Sequence, residues 1–306
     1  MLVLRVAPAR AGSMALARAE AVALLGPLGA TPADGGPLAD EPAVLWLTLP
    51  TDHLDSAAGL CARLGYTARA DLVVAHREAR RGERAIIWRR RRHALRPLFV
   101  ADPEALRKAA PDQRAFLLEC DDGVVRRVRG YRGGRHPLTH RALPVIDARI
   151  LVNLAGPPPP HALLLDPFAG AGGIAIEARK GGWETVAGDV DRAVRFGLVV
   201  LASAAAVTDA ARLPLTARSV AGVVTEPPYH ADADHMVVAS IAELRRVVAD
   251  GGRVVMMAAT RQAGALRAEG HEVGLVAEVD EAVDRKGTDA TVLVWSTPSA
   301  GAPIVR

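Results

Sequence analysis

The C-terminal part of the sequence predicts an α/β fold, built on a seven-stranded and mostly parallel sheet. Three observations predict it. The apolar run Leu163-Leu164-Leu165 leads into a glycine-rich loop and then into a helix-forming segment. Strand-like and helix-like segments alternate from there to residue 268. Two strand-like runs then follow with no helix between them, which favours a parallel sheet closed by one antiparallel strand.

The individual elements follow from hydrophobic runs and from their flanking residues. Strands are predicted at 163–165, 184–189, 206–210, 220–224, 253–258, 273–279 and 291–295, and helices at 174–179, 236–248 and 263–268. A further helix is predicted to begin at Arg192, with Asp191 as its cap. Gly270 is predicted to end the helix that begins at Ala263.

Residues 166–173, here called the glycine loop, have the composition of a cofactor-binding loop. Their glycines permit positive φ and leave a backbone surface without Cβ atoms. Open α/β sheets bind ligands beyond the carboxyl ends of their strands, which is where this loop is predicted to lie. Its candidate cofactor-binding residues are Asp166, Phe168, Gly170 and Gly172.

Acidic residues follow at the predicted ends of the next two strands. Asp189 lies about 20 residues beyond the glycine loop, where a carboxylate can accept hydrogen bonds from both ribose hydroxyls of a nucleoside. Asp209 is suitably placed for the amino group of an adenine, although a turn-forming Asp before Arg212 explains it equally well. Their neighbours Val190 and Ala210 complete the predicted cofactor site.

The segment Glu226-Pro227-Pro228-Tyr229, here called the proline turn, follows the fourth strand. Two successive prolines cannot continue a central strand, because they lack N–H donors and fix φ. The turn would present the Glu226 carboxylate and backbone carbonyls to a cleft, and Tyr229 can stack on a planar base. Acceptors on both N–H groups of a ring amine would direct the nitrogen lone pair at a methyl donor. These four residues are the predicted catalytic residues, and Glu226 is also a predicted cofactor contact.

Residues 136–306 resemble the THUMP-associated RNA guanine-N2 methyltransferases. The resemblance rests on the run from Asp166 to Gly173, on Ile176-Glu177-Ala178, and on the upstream segment from His136 to Leu154. It is closest to the tRNA guanosine-10 N2-methyltransferases of archaea and eukaryotes. It implies a Rossmann-like class I methyltransferase domain with S-adenosylmethionine (SAM) as cofactor and the N2 amino group of a tRNA guanosine as target.

The resemblance also implies roles for individual residues. Asp189 would hold the ribose, Asp209 the adenine, and the proline turn the guanine amine. Some members of the family work only with a small activating subunit, which makes such a protein an implied partner. The family's turn reads Asp-Pro-Pro-Tyr-Gly, whereas this chain has Glu226 and His230. A pocket altered to suit Glu, a different target amine and an impaired active site all remain open.

The N-terminal half predicts a separate α+β region. Its strand, helix, strand, helix and strand are predicted at 2–7, 13–25, 43–48, 54–64 and 68–75. We therefore divide the chain into a ferredoxin-like module at 1–80, a basic, reduced THUMP-like segment and linker at 81–135, and the methyltransferase domain at 136–306.

Positive charge is concentrated between these two regions. Residues 76–141 hold 18 of the 38 Lys and Arg but 8 of the 34 Asp and Glu, a charge of +10 that leaves −6 for the remainder. A concentrated basic segment beside an enzyme domain is typical of binding to a phosphate backbone. The candidate RNA-binding residues are Arg89, Arg90, Arg91, Arg92, Arg126, Arg127 and Arg129. A compositional bias toward Arg is the simpler alternative.

Several classes of protein are disfavoured by composition. Two cysteines, Cys61 and Cys120, form neither a disulfide framework nor a metal-binding spacing. No uncharged apolar run has the length of a membrane span, and the N-terminus lacks a signal peptide, so a cytoplasmic protein is expected. A DNA adenine-N6 or cytosine-N4 methyltransferase, a catalytically impaired RNA-binding relative and a small-molecule N-methyltransferase remain as alternatives.

Overall fold

A computed structural model describes residues 2–8, 14–33, 45–73, 88–89, 94–95, 127–129, 143–284 and 289–299. The chain divides into two compact units, Met1–Arg132 and Gly133–Arg306. The three-part division that we draw from the sequence remains a prediction.

The N-terminal unit contains a five-stranded antiparallel sheet. Its elements are β1 (Leu2–Pro8), α1 (Met14–Leu25), β2 (Thr31–Pro32), β3 (Leu45–Leu49), α2 (Leu54–Cys61), β4 (Thr67–Val73), β5 (Trp88–Arg89), β6 (Ala94–Leu95) and β7 (Arg127–Arg129). The strand order is β2-β3-β1-β4-β7, and β5 pairs with β6 in a separate ribbon. From β1 to β4 this is the split βαβ order. Each of the five predicted elements is present, but α2 ends at Cys61 instead of residue 64, and β2 was not predicted.

A hydrophobic core joins β3 to both helices of this unit. Leu45, Leu47 and Leu49 of β3 pack with Leu24 of α1 and Cys61 of α2. The alternation along β3 directs every second side chain into this core. Burial raises the pKa of the Cys61 thiol to about 12, so this cysteine stays protonated.

The C-terminal unit alternates strands and helices, as predicted. Its elements are α3 (Val145–Leu154), β8 (Leu163–Asp166), α4 (Gly173–Lys180), β9 (Glu184–Asp189), α5 (Arg195–Leu201), β10 (Ala204–Val207), β11 (Val220–Thr225), α6 (Asp234–Val247), β12 (Val248–Ala259), α7 (Ala263–Glu272), β13 (Val276–Asp284) and β14 (Asp289–Ser296).

The seven strands form one sheet in the order β10-β9-β8-β11-β12-β14-β13. All neighbours are parallel except β14, which is antiparallel to both β12 and β13. This is the class I methyltransferase arrangement, and it confirms the predicted fold. The strand order reverses between β8 and β11, so the loops after these two strands border the crevice in which such sheets bind ligands.

Apolar packing fixes the position of that crevice. Val237, Ile241 and Leu244 recur at helical spacing along α6 and are fully buried against Val223 of β11 and Met256 of β12. The strands beneath the crevice are therefore held by a continuous core. Within the described ranges, no helix is both long and apolar enough to cross a membrane.

Some predicted boundaries are wrong. The third strand ends at Val207, so Asp209 lies beyond β10 in a tight turn. α7 continues past Gly270, where a Cβ would lie 3.1 Å from Trp295 Nε1, and Gly274, with φ +78°, follows the actual helix end. β13 consequently begins three residues later than predicted. α5 begins at Arg195 instead of Arg192, after a turn.

Candidate active site

The glycine loop forms a compact turn between β8 and α4. Gly170 and Gly172 have φ values of +47° and +85°, which side chains other than glycine rarely adopt. The Gly172 N–H donates to the Ala169 carbonyl at 2.7 Å, and the Ala169 N–H donates to the Gly188 carbonyl at 2.9 Å. The position that a Cβ at Gly170 would occupy is open, whereas one at Gly172 would come within 2.8 Å of Leu201. Gly170 therefore leaves its backbone open to a ligand, and Gly172 allows α5 to approach closely.

Asp189 connects the glycine loop to the end of β9. Its Oδ2 accepts a hydrogen bond from the Gly170 N–H at 2.7 Å, and its Oδ1 accepts one from the Asp191 N–H at 2.8 Å. Hydrogen bonds from N–H groups to a carboxylate are among the stronger ones in proteins. Asp191, by contrast, is exposed and accepts from the Ala193 N–H within its own turn. Of the two acids, Asp189 is the one at the glycine loop.

Asp166 links the two strands that border the crevice. The Thr225 hydroxyl at the end of β11 donates to Asp166 Oδ1 at 2.8 Å, and both side chains are buried. Burial raises the pKa of Asp166 to about 7, with smaller upward contributions from the charges of Asp189 and Glu226. The hydrogen bonds from Thr225 and from the Phe168 N–H act in the opposite direction.

The raised pKa of Asp166 predicts a pH-dependent stability. Between about pH 4 and pH 7 the folded protein retains a proton that the unfolded chain has released, so its free energy of unfolding falls as the pH rises. Asp166→Asn lacks this proton exchange and keeps an acceptor for Thr225. We expect wild-type stability to fall relative to the variant by up to about 1.4 kcal/mol per pH unit in this window. Urea unfolding of both proteins from pH 5 to 8 measures the difference, and parallel stability curves would contradict the prediction.

The proline turn leaves the sheet directly after β11. The Tyr229 hydroxyl donates to Glu226 Oε1 at 2.8 Å, so the ring and the carboxylate at the two ends of the turn hold each other. Pro227 is buried, whereas Glu226, Pro228 and Tyr229 are half-buried. Because β8 and β11 are neighbours, the turn and the glycine loop begin at the same edge of the sheet.

Three further residues hold this turn, and none was a candidate in the sequence. Gln262 donates through Nε2 to the Pro228 carbonyl at 3.1 Å and to Asp234 Oδ1 at 2.8 Å. Arg261 donates to the Tyr229 carbonyl and pairs with Asp234. Arg261 and Gln262 lie between β12 and α7, while Asp234 begins α6. They belong to no recognisable motif, which is why sequence reasoning missed them.

The other predicted cofactor residues lie along the same edge of the sheet. Val190, directly after Asp189, is 67% exposed and presents an apolar surface. Asp209 is exposed and accepts from the Ala211 N–H at 2.9 Å, whereas Ala210 is buried. The Thr208 N–H donates to the Asp189 carbonyl, which links the segment after β10 to the end of β9.

The predicted RNA-binding arginines are only partly described. Arg89 lies in β5, and Arg127 and Arg129 lie in β7. Arg90, Arg91, Arg92 and Arg126 fall outside the described residues. Their role remains a prediction.

Comparison with known proteins finds similar solved structures but no matching family model and no matching curated protein. Similar solved structures include geranyl diphosphate methyltransferase in complex with SAM, at 17% identity and a TM-score of 0.41 over 50% of this chain and 85% of that one. The TehB-like SAM-dependent methyltransferase of Corynebacterium glutamicum has 20% identity and a TM-score of 0.39, over 49% and 86% of the two chains.

A third similar structure is the methyltransferase in complex with the Trm112 methyltransferase activator of Haloferax volcanii. It has 13% identity and a TM-score of 0.39, over 48% of this chain and 86% of that one. The strand order of the C-terminal unit is the finding that identifies its fold as that of the class I methyltransferases.

Proposed function

We propose that this protein transfers a methyl group from SAM to an amino group of RNA, namely the N2 of a guanosine in tRNA. One observation carries the proposal. The hydrogen bond from Thr225 to Asp166 joins the carboxyl ends of β8 and β11, so the glycine loop and the proline turn open onto the same crevice. Methylation of an amine needs a loop that binds the nucleoside cofactor. It also needs, beside that loop, rigid hydrogen-bond acceptors that orient the amine.

The residues at this edge suit a nucleoside cofactor. The open backbone at Gly170 leaves room for the cofactor's chain, and the Asp189 carboxylate suits the ribose hydroxyls. The exposed Val190 offers an apolar contact for the adenine, and Asp209 a carboxylate for its amino group. When bound, SAM supplies a methyl group from a positively charged sulfur and leaves as the neutral thioether.

The proline turn would hold the target amine. A carboxylate and a backbone carbonyl each accept one N–H of the amine, which orients the nitrogen lone pair toward the methyl donor. Glu226 supplies the carboxylate. Since the Pro228 and Tyr229 carbonyls already accept hydrogen bonds from Gln262 and Arg261, we assign the second acceptor to the carbonyl of Pro227. The methylated nitrogen then loses one proton to water.

The basic segment supports RNA as the substrate, and its role is tested by salt dependence. Each phosphate contact adds about 0.7–0.9 to the slope of log affinity against log salt. Replacing Arg89, Arg90, Arg91 and Arg92 by Gln is therefore expected to weaken tRNA binding and to flatten this slope. Fluorescence anisotropy at increasing KCl measures both. The control replaces Arg218 and Arg267, which are exposed on the C-terminal unit; an unchanged slope in the quadruple variant would leave the basic segment as compositional bias.

The activating subunit forms part of the proposal. β10 is an edge strand of the sheet, and its residues Ala204–Val207 carry no charge that would discourage strand pairing. Val199 and Val200 of the neighbouring α5 are 60% and 75% exposed. An uncharged edge beside exposed valines suits a small protein that adds a strand to the sheet.

The deciding experiment is transfer of labelled methyl from SAM to unmodified tRNA, with genomic DNA in parallel and nucleoside mass spectrometry of the products. N2-methylguanosine in tRNA is the expected result. Methylated adenine or cytosine in DNA would overturn the substrate assignment. If SAM binds but neither product forms, the assay is repeated with a small activating subunit of this type; continued inactivity would identify a catalytically impaired relative.

A further inference from the structure

The carbonyl oxygens of the proline turn are held from outside the turn. The Gln262 Nε2 lies 3.1 Å from the Pro228 oxygen, and Arg261 donates to the Tyr229 oxygen. Both side chains come from the segment between β12 and α7, and β12 is the parallel neighbour of β11. The turn is therefore anchored to the next strand of the sheet as well as to its own.

Asp234 joins these two donors. It accepts from Gln262 Nε2 at 2.8 Å and pairs with Arg261, and these two partners lower the pKa of its carboxyl group. The Gln262 Oε1 accepts from the Ala259 N–H at 3.0 Å, so the amide is engaged on both sides. Gln262 is 2% exposed, so water cannot hydrogen-bond to its amide. Its bonds to the protein therefore satisfy polar atoms that would otherwise be buried without a partner.

The turn needs such outside support because of its own sequence. Pro227 and Pro228 have no N–H, so neither can donate the backbone hydrogen bonds that ordinarily stabilise a turn. Their fixed φ angles make the turn stiff but do not fix its direction relative to the sheet. Direction matters at this position, since a displacement of about 1 Å can lower a reaction rate about 100-fold.

We infer that Asp234, Arg261 and Gln262 form a clamp that sets the position of the Glu226 carboxylate and the Pro227 carbonyl against the target amine. The inference rests on the proposed function, and the three residues are positioning residues: they hold the turn and do not contact the reacting atoms. Arg261 is suited to this role because its planar guanidinium donates to a carboxylate and a carbonyl together, which a lysine cannot do with the same geometry.

The chain provides a matched control. Arg267 lies on α7, a few residues beyond Arg261, and pairs with Asp280. The side chains of the two pairs are similarly exposed. The exposed fractions are 41% and 40% for Arg261 and Asp234. They are 49% and 41% for Arg267 and Asp280. Only the first pair touches the proline turn. Arg261→Met and Arg267→Met therefore remove comparable surface interactions, and exposed pairs of this kind contribute little to stability.

We expect Arg261→Met to lower kcat for methyl transfer by about 10- to 100-fold. The KM for tRNA and the dissociation constant for SAM should each change less than about threefold, and Arg261→Lys should recover part of the rate. Arg267→Met should match the wild type in all of these quantities. Wild-type kcat in Arg261→Met would overturn the inference while leaving the proposed function intact.

Hydrogen exchange tests the clamp without relying on activity. The buried Ala233 amide, which donates to the His230 carbonyl directly after the turn at 3.1 Å, should exchange about tenfold faster in Arg261→Met than in wild type or Arg267→Met, because the turn has lost an anchor. Equal exchange in all three proteins would overturn the inference. If the wild type methylates no nucleic acid under any condition, the proposed function fails, whereas the exchange rates still decide whether the clamp exists.

Discussion

Replacing Glu226 with Ala is expected to lower the rate of methyl transfer by about 100- to 1,000-fold, the usual consequence of removing one group that stabilises a transition state. Glu226 follows β11 directly, is fixed by the Tyr229 hydroxyl at 2.8 Å, and lies at the crevice beside the glycine loop. The affinity for SAM should change less than about threefold, because Asp189 and the glycine loop remain. Single-turnover transfer and isothermal titration calorimetry measure the two effects separately.

Two other variants show what the glutamate contributes. Tyr229→Phe keeps the ring and removes only the hydroxyl that holds Glu226, so we expect a smaller loss than in Glu226→Ala. Glu226→Asp introduces the residue found in the resembled family, but its shorter side chain cannot reach the Tyr229 hydroxyl in the same way. We expect this variant to lose activity as well. A gain in Glu226→Asp would show that Glu226 impairs the site, and a wild-type rate in Glu226→Ala would exclude Glu226 from the reaction.

Replacing Asp189 with Ala is expected to weaken SAM binding by about 10- to 100-fold, since a hydrogen bond to a charged group contributes about 1.5–3 kcal/mol. Two effects combine. The ribose loses its acceptor, and the Gly170 N–H loses the carboxylate that holds the glycine loop at 2.7 Å. Calorimetry with SAM and with S-adenosylhomocysteine measures the loss.

Asp191→Ala is the control for this prediction. Asp191 lies two residues away and is exposed, and its carboxylate accepts from the Ala193 N–H in its own turn. Its removal should change the SAM affinity less than about threefold. A larger loss in Asp191→Ala than in Asp189→Ala would transfer the ribose assignment to Asp191, and unchanged affinity in Asp189→Ala would remove it from Asp189.

The sequence predicts the sheet of the C-terminal unit because the order of its elements is expressed in local patterns. Buried parallel strands such as Leu163–Asp166 are short apolar runs, and the glycine loop interrupts the chain where a strand must give way to a helix. Boundaries are less well specified. In β10 the composition of Ala204–Val207 is weak as a strand signal, and pairing with β9 decides its extent.

The clamp on the proline turn illustrates what sequence patterns do not contain. Gln262 and Asp234 are 28 residues apart, and Arg261 and Tyr229 are 32 apart. Each is an ordinary polar residue next to an element boundary, and only the parallel pairing of β11 with β12 brings them together. Gly270 shows the same limitation, because this glycine lies inside a helix where a side chain would meet Trp295, a residue 25 positions away.

The position of β14 has a consequence for the synthesis of the protein. This strand is the last of the sheet in sequence, yet it lies between β12 and β13 and pairs with both. Until β14 has been synthesised, β12 therefore lacks the partner that pairs with its residues Arg253 to Ala259. Domains generally fold as units once their sequence is complete, and unpaired strand edges in unfinished ones promote aggregation. We therefore expect the nascent C-terminal unit to be most prone to aggregation before residues 289–296 leave the exit tunnel.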